Sequence, residues 1–469
     1  MGFVLSILYF VTYYLTPAYI FRPLADAHVE VIIVALALIV SLPALMKSFL
    51  LKNPQSLALM GLAAAVFMSV LIGKHWVGGA VKSFFEFIPH GMAYFLVCLH
   101  CNSKRRLQIL TFVLLFICLL VIAHGYFDLL HGVPTSAPPA GTGFGDPLET
   151  GATASPYLMR QMNNLGDWTY RLQGLGALND PNDFGQLLVS LIPLMFISWR
   201  AKKMITNVVL VILPVGALLF GVFLTHSRGD LVALTAVAVI AARRRIGTLP
   251  AIMLAGCLFL AAMALHFTGG RNISASAGED RTALWGQGMQ VLKSHPLFGV
   301  GYGSLPDYTD DHLTAHNSVI VCASELGLFG LYFWCLFLFP TVRDALASAS
   351  PARTSEGELI VPEEEQFPQP GWKIEEIDKT EVNRLGRLMV LSLTGFLVAG
   401  WFLSRAWVMT FFLLGGMAEV VFQMALQRGM IAPRLPLKRV LVYAGGLAIS
   451  LLLLMYIMIR FLNVLHRFN

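Results

Sequence analysis

The stretch "ITNVVLVILPVGALLFGVFLTHSRGDLVALTAVAVIAARRR", residues 205–245, sets His226, Arg228 and Asp230 between two runs that contain almost nothing polar. About 17 to 25 apolar residues cross roughly 30 Å of hydrocarbon as a helix, so the run 205–225 is long enough to span a bilayer. The run 231–242 is short, and spans only if its outer turn takes in Arg228 or Asp230 or if the bilayer thins around it. The charged cluster therefore belongs at a membrane lip, with "RRR" (243–245) marking the opposite side.

The rest of the chain repeats this pattern. Of its 469 residues, 57% are hydrophobic and 13% charged, with a mean hydropathy of +0.70. A soluble domain has too little interior for so much apolar surface. Besides 205–225 and 231–242, apolar runs cover 4–20, 29–46, 57–73, 84–99, 107–123, 184–199, 249–267, 318–340, 388–403, 407–426 and 440–462. Lipid offers backbone polar groups no partner, so each run is expected to be a helix. The fold class is all-α: a polytopic integral membrane protein of about 12–13 transmembrane helices. Its segments are helices over 1–124, an outer loop over 125–183, helices over 184–267, a second outer loop over 268–317, a helix over 318–340, a cytoplasmic loop over 341–387 and helices over 388–469.

Orientation follows from the short connections, because Lys and Arg there stay cytoplasmic. Lys47 and Lys52, "SKRR" (103–106), "WRAKK" (199–203), "RRR" (243–245) and the bases Arg428, Arg434, Lys438 and Arg439 follow the even-numbered runs. The N-terminus is thus expected inside, and Arg228 with the two long loops outside. The formal charge of +6 is then mostly topology and does not indicate nucleic-acid binding. The first run reads as a retained anchor, without a small-residue cleavage site. All six cysteines fall in or beside apolar runs and read as packing residues, "CLHC" (98–101) included. The stretch "PEEEQFPQPGWKIEEIDKTEV" (362–382) reads as an acidic, Pro-rich connector.

Chemistry is expected on the outer side. Within the second outer loop, Leu284, Trp285, Val291 and Leu292 suggest a short amphipathic helix lying on the membrane surface, ended by Pro296. "GVGYGS" (299–304) lacks the spacing of a dinucleotide fingerprint. It is either a tight turn that brings backbone close to a ligand or a plain loop. His312 and His316 follow, the latter at the mouth of the run 318–340. Asn317 and Ser318 read as caps of that helix. Glu325, an intramembrane carboxylate, either serves the site or pairs with a base such as Arg405, and Glu86 and Glu419 share the ambiguity. Asp230 is placed to orient Arg228. "RGD" (228–230) and the sequon at Asn272 carry no weight as adhesion or glycosylation signals.

"SRG" opening a run, "RTALW" (281–285) followed by "HPLFGVGYG" (295–303), and "AHNSVIVCASELGLFGL" (315–331) resemble the O-antigen ligase and polymerase family. "RLQGLGALNDPNDFGQ" (171–186) is similar to a further stretch of many members, so the resemblance runs from about Arg171 to Phe333. It implies a GT-C-like membrane glycosyltransferase of the bacterial inner membrane with its active site on the periplasmic side. The implied donor is a glycan on undecaprenyl diphosphate, and the acceptor is a sugar hydroxyl on another glycan or on the lipid A core. Neither nucleotide sugar, cofactor nor metal is implied. A polymerase is the first expectation and a ligase the alternative. A transporter of lipid-linked oligosaccharide would instead spread ionisable residues along the membrane midplane.

The residues suit that chemistry. A diphosphate leaving group gains charge as the glycosidic bond breaks, and guanidinium forks hold such oxyanions bidentately. Arg228 and Arg281 are the candidate diphosphate ligands. The acceptor hydroxyl needs a base, and the family motif selects His316 over His312. Arg171 either contacts the glycan or diphosphate, or docks the first outer loop.

Overall fold

Apolar periodicity and helix caps set the element boundaries in the computed structural model, which describes residues 1–17, 29–132, 155–162, 168–264, 267, 275–310, 312–350, 374–431 and 434–465. The sequon at Asn272 and most of the acidic connector lie outside the described residues. The helices are α1 (Gly2–Leu15), α2 (Val29–Lys47), α3 (Pro54–Gly73), α4 (Val77–His100), α5 (Lys104–His131), α6 (Pro181–Met195) and α7 (Met204–Thr225), the last with a π-helical turn at Val208–Ile212. They continue as α8 (Arg228–Ile246), α9 (Thr248–Ala264), α10 (Ala275–Ser294), α11 (Ser318–Ala349), α12 (Lys379–Gly400), α13 (Met409–Gln427) and α14 (Leu437–Leu465). Each apolar run of the sequence falls on one of them.

The protein is an all-α polytopic membrane protein. Among the described residues eight helices are long and apolar enough to cross a bilayer: α2, α3, α5, α7, α11, α12, α13 and α14. α1 and α9 are apolar but shorter. The other three expected spans depart from that standard for visible reasons. α4 carries Lys82, Glu86 and His90, α6 is 15 residues long, and α8 holds Arg228, Asp230 and a terminal Arg243–Arg245 run.

The segment 125–183, read from the sequence as a loop, contains a β-hairpin. β1 (Leu158–Met162) pairs antiparallel with β2 (Trp168–Leu172), Leu158 opposite Leu172 and Met162 opposite Trp168. Leu158 and Leu172 are buried at one end, and the Arg160 guanidinium lies 3.8 Å from the centre of the Trp168 ring at the other.

The helices gather into two compact units that are not contiguous in sequence: 1–37 with 104–272 and 391–399, and 38–103 with 273–390 and 400–469. In the first, α6 packs on α5, α7, α8 and β2, and α8 on α9. In the second, α11 packs on α3, α10, α13 and α14, and α4 on α3 and α13. The core of the second unit centres on Phe337, whose ring lies 5.6 Å from Tyr94, 5.0 Å from Phe411 and 5.1 Å from Phe412. One buried charge cluster there is paired: Arg434 binds Glu419 and, at 2.9 Å, Asp344, while Asn53 and Gln423 each donate to Glu419 at 3.0 Å. A buried carboxylate so satisfied ties helices together; Glu419 is accounted for in this way.

Candidate functional site

The first unit places the polar cluster at the corner between α7 and α8. α7 ends when His226 turns left-handed (φ 49°), and Ser227 caps α8 by accepting the Asp230 amide at 3.3 Å. Arg228 is the first residue of α8 and is half-buried. Asp230 is 1% exposed, and among the described residues neither carboxylate oxygen has a hydrogen-bond partner. Gly185 makes room for it: a Cβ there would lie 1.9 Å from Asp230 Oδ2. The first-turn position sets this carboxylate against the positive end of α8. The ring of His226 has its Nδ1 3.0 Å from the Phe267 carbonyl, which can only accept, so Nδ1 carries the hydrogen.

Arg171 is buried behind this corner, with each guanidinium nitrogen engaged. Nε donates to the Thr225 carbonyl at the end of α7 (2.9 Å), one terminal nitrogen to Gln161 on β1 (3.0 Å) and the other to Asn182 at the start of α6 (2.8 Å). Burial lowers its pKa from the ordinary guanidinium value, and the charges of Asp180 and Asp230 oppose the shift. Such a side chain staples the hairpin to two helix ends.

The second unit holds Arg281, His312, His316, Asn317 and Glu325. α10 has its helical face of Leu284, Trp285, Gly288, Val291 and Leu292 buried. The surface-lying helix expected from the sequence is thus packed on α11. Gly288 permits that approach, since a Cβ would lie 2.4 Å from Ile320, and its carbonyl accepts from Ser324 Oγ at 2.9 Å. Trp285 Nε1 donates to the Ala315 carbonyl at 2.8 Å, which fixes the residue before His316. Arg281, exposed, stands one turn before Trp285 on α10.

His316 is half-buried and left-handed (φ 46°), as is exposed His312 (φ 53°). Non-glycine residues avoid this conformation, and it persists where surroundings impose it, often at functional sites. Here its backbone N–H donates to Ser404 Oγ at 2.8 Å. Asn317 caps α11 by accepting the amides of Val319 (3.0 Å) and Ile320 (3.1 Å), and its Nδ2 donates to the Trp401 carbonyl at 3.0 Å. His312 Nδ1 lies 3.2 Å from the Pro306 carbonyl.

The glycine loop engages a break in α11. Gly327 is non-helical (φ 66°), which frees the carbonyls of Ser324 and Glu325 and the amides of Leu328 and Phe329. Val300 and Gly301 donate to those carbonyls at 3.1 Å each, and Leu328 and Phe329 donate to Pro296 and Leu297 at 2.8 and 3.1 Å. A broken helix at membrane depth survives only when its backbone groups are satisfied in this manner. The two chains touch through glycine: a Cβ on Gly299 would lie 2.3 Å from the Glu325 carbonyl oxygen, and one on Gly327 2.3 Å from that of Leu297. Glu325 completes the clamp by accepting the amides of Gly303 (2.9 Å) and Leu305 (3.3 Å). From Gly299 to Leu305 every backbone N–H is spent inside the protein. The loop is therefore no cradle of free donors for a ligand, and Glu325 is engaged with it and not with Arg405.

Residues 209–335 match the O-antigen ligase family. The match covers about a quarter of the chain and takes in Arg228, Arg281, His312, His316, Asn317 and Glu325. It leaves out Arg171 and the "RLQGLGALNDPNDFGQ" stretch. Comparison with curated proteins gives no match. Ser404, on the connection Gly400–Val408, lies outside the family match and takes no role from the sequence; a lone "LSR" after an apolar run carries no signal of a distant contact.

A large apolar groove also opens on the second unit. It has a volume of about 730 Å³ and is lined by α2, α3 and α4 through side chains such as Met60, Phe67, Phe84, Phe85, Met92 and Phe95. α3 joins it to the glycine loop, where Ser69 Oγ accepts the Tyr302 amide at 3.2 Å.

Proposed function

We propose that the protein transfers a glycan from an undecaprenyl-diphosphate-linked donor to a sugar hydroxyl at the periplasmic side of the bacterial inner membrane. The observation that carries this reading is the His316 corner: a half-buried histidine held left-handed, its amide on Ser404 and the preceding Ala315 fixed by Trp285. His316 takes the acceptor's proton, the hydroxyl oxygen attacks the anomeric carbon, and the glycosidic bond to the diphosphate breaks. Direct displacement inverts the anomeric centre. Arg281 binds the diphosphate as its charge grows; in the first unit, taken by itself, Arg228, whose Nε has no partner among the described residues, is a candidate ligand for a diphosphate. The apolar groove suits the aliphatic tail of the donor. His312 and Asn317 support the corner, and Glu325, Arg171 and Asp230 support the scaffold.

The acceptor of a polymerase is another lipid-linked glycan, and that is our first reading. The description of the matched family favours a second, transfer to the lipid A core by a ligase. Deleting the gene separates them: single repeats on the acceptor mark a lost polymerase, and accumulating lipid-linked chains a lost ligase. Purified protein given donor and acceptor forms product without any gradient; a requirement for one would favour transport. Sidedness is tested with Cys257, the one exposed cysteine, changed to serine. Cysteines placed at Ala283 and Leu313, both exposed, should then react with an impermeant thiol reagent from the periplasm. Labelling only after permeabilisation would sink the mechanism.

A further inference from the structure

We infer that Ser404, on the connection Gly400–Val408, is a positioning residue for His316. This rests on the reading of His316 as the base. Its Oγ accepts the His316 amide at 2.8 Å. That amide belongs to a residue at φ 46°, and a left-handed histidine has no intrinsic preference for its conformation. The amide is also excluded from the helix that follows, because Asn317 is the N-cap and the first turn of α11 is bonded to Asn317. Ser404 thus supplies the acceptor that this orphan donor needs.

The connection is rigid where it does so. Ser318 Oγ donates to the carbonyls of Gly400 (2.9 Å) and Leu403 (3.0 Å), Asn317 to Trp401, and Trp334 Nε1 to Ala406 (3.0 Å). The Trp407 ring lies 5.8 Å from Tyr302 of the glycine loop. Ser404 is consequently fixed from both flanks, and its hydroxyl sets where the His316 backbone, and with it the imidazole, can sit. A base displaced by a fraction of an ångström from its proton loses rate while substrates bind as before.

The test is a cycle of Ser404→Ala, Ser404→Thr and His316→Ala in purified full-length protein, with donor and acceptor KM and kcat measured separately. S404A should lower kcat about tenfold, the equivalent of one lost hydrogen bond, with both KM values within about twofold of the parent and the thermal midpoint little changed. S404T keeps the hydroxyl and should restore most of the rate. In the H316A background S404A should change the residual rate less than about twofold, because two residues acting through one step are not additive. Parent-like turnover by S404A, failure of S404T to restore it, or multiplied losses in the double variant would each overturn the inference. If S404A does not fold, Ser404→Cys, a weak acceptor, takes its place in the cycle with the same criteria. Full activity of H316A alone would instead remove the reading of His316 as base, an outcome distinct from any of these.

Discussion

The corners at His226 and His316 are built alike. In each a left-handed histidine is followed by a polar N-cap and then by a helix, α8 after Ser227 and α11 after Asn317. They differ in where the backbone amide of the histidine finds its acceptor: that of His226 donates to the Phe223 carbonyl of the helix before it, at 3.1 Å. At His226 the ring is bound to the Phe267 carbonyl and packs edge-on against Phe223 at 5.6 Å. At His316 the amide donates to Ser404, far along the chain, with Trp285 fixing the preceding residue. The same local recipe therefore serves two ends. One histidine is held by its own preceding helix and by its ring, and the main chain of the other is fixed by a connection distant in sequence.

The sharpest way to break this comparison is to remove both rings in turn. His316→Ala should lower product formation by about 10² to 10⁴, the usual worth of general-base catalysis, with donor binding near normal. His226→Ala should cost less than about tenfold, the scale of one hydrogen bond. Rates from purified enzyme decide it, and the reverse order would move the chemistry to the α7–α8 corner.

The arginines come next. Arg281→Lys keeps charge but loses the planar fork, and turnover should fall roughly 10² to 10³, or about 2.7–4 kcal/mol, as for a lost oxyanion donor. The same change at Arg228 ranks the two guanidinium groups by their loss in kcat. Near-normal turnover of either lysine variant would show that only a diffuse field is supplied there.

Arg171 should behave differently from both. Its loss leaves the partners on β1, α6 and α7 unsatisfied, so Arg171→Ala should destabilise by about 3 kcal/mol or more. A lowered thermal midpoint in detergent, with the activity per folded molecule retained, is the expected pattern. A fall in activity with unchanged stability would instead make Arg171 a substrate contact.

The smallest effects belong to the caps. Asn317→Ala removes an acceptor for two amides and a donor to Trp401, and should cost about 1–2 kcal/mol. Ser227→Ala removes one longer bond, to Asp230, and should cost about 0.5–1 kcal/mol. Equal losses, read from the thermal midpoint, would show that the Trp401 bond contributes nothing.

Much of the protein was legible before any coordinates. Hydropathy depends on local composition, so it located every apolar run on a helix, and the polar corner at 226–230 was visible because charge interrupts apolar sequence so rarely there. The ordered motifs from Arg228 to Glu325 fell within the family match for the same reason: they are contiguous signals. The hairpin was not read, since five-residue strands inside a polar loop carry little periodicity. Other residues changed meaning through contacts that no local pattern encodes. Arg171, a possible ligand by type, is spent on three acceptors from three elements, and Glu325, an intramembrane carboxylate, is spent on the glycine loop. Ser404 stands 88 residues from the amide it accepts. The chain by itself determined which residues enter the membrane and which are charged at its edge, because both follow from side-chain solvation one residue at a time. Tertiary structure decided which of those polar groups are already satisfied, because a hydrogen bond is a property of two partners and the fold alone brings them together.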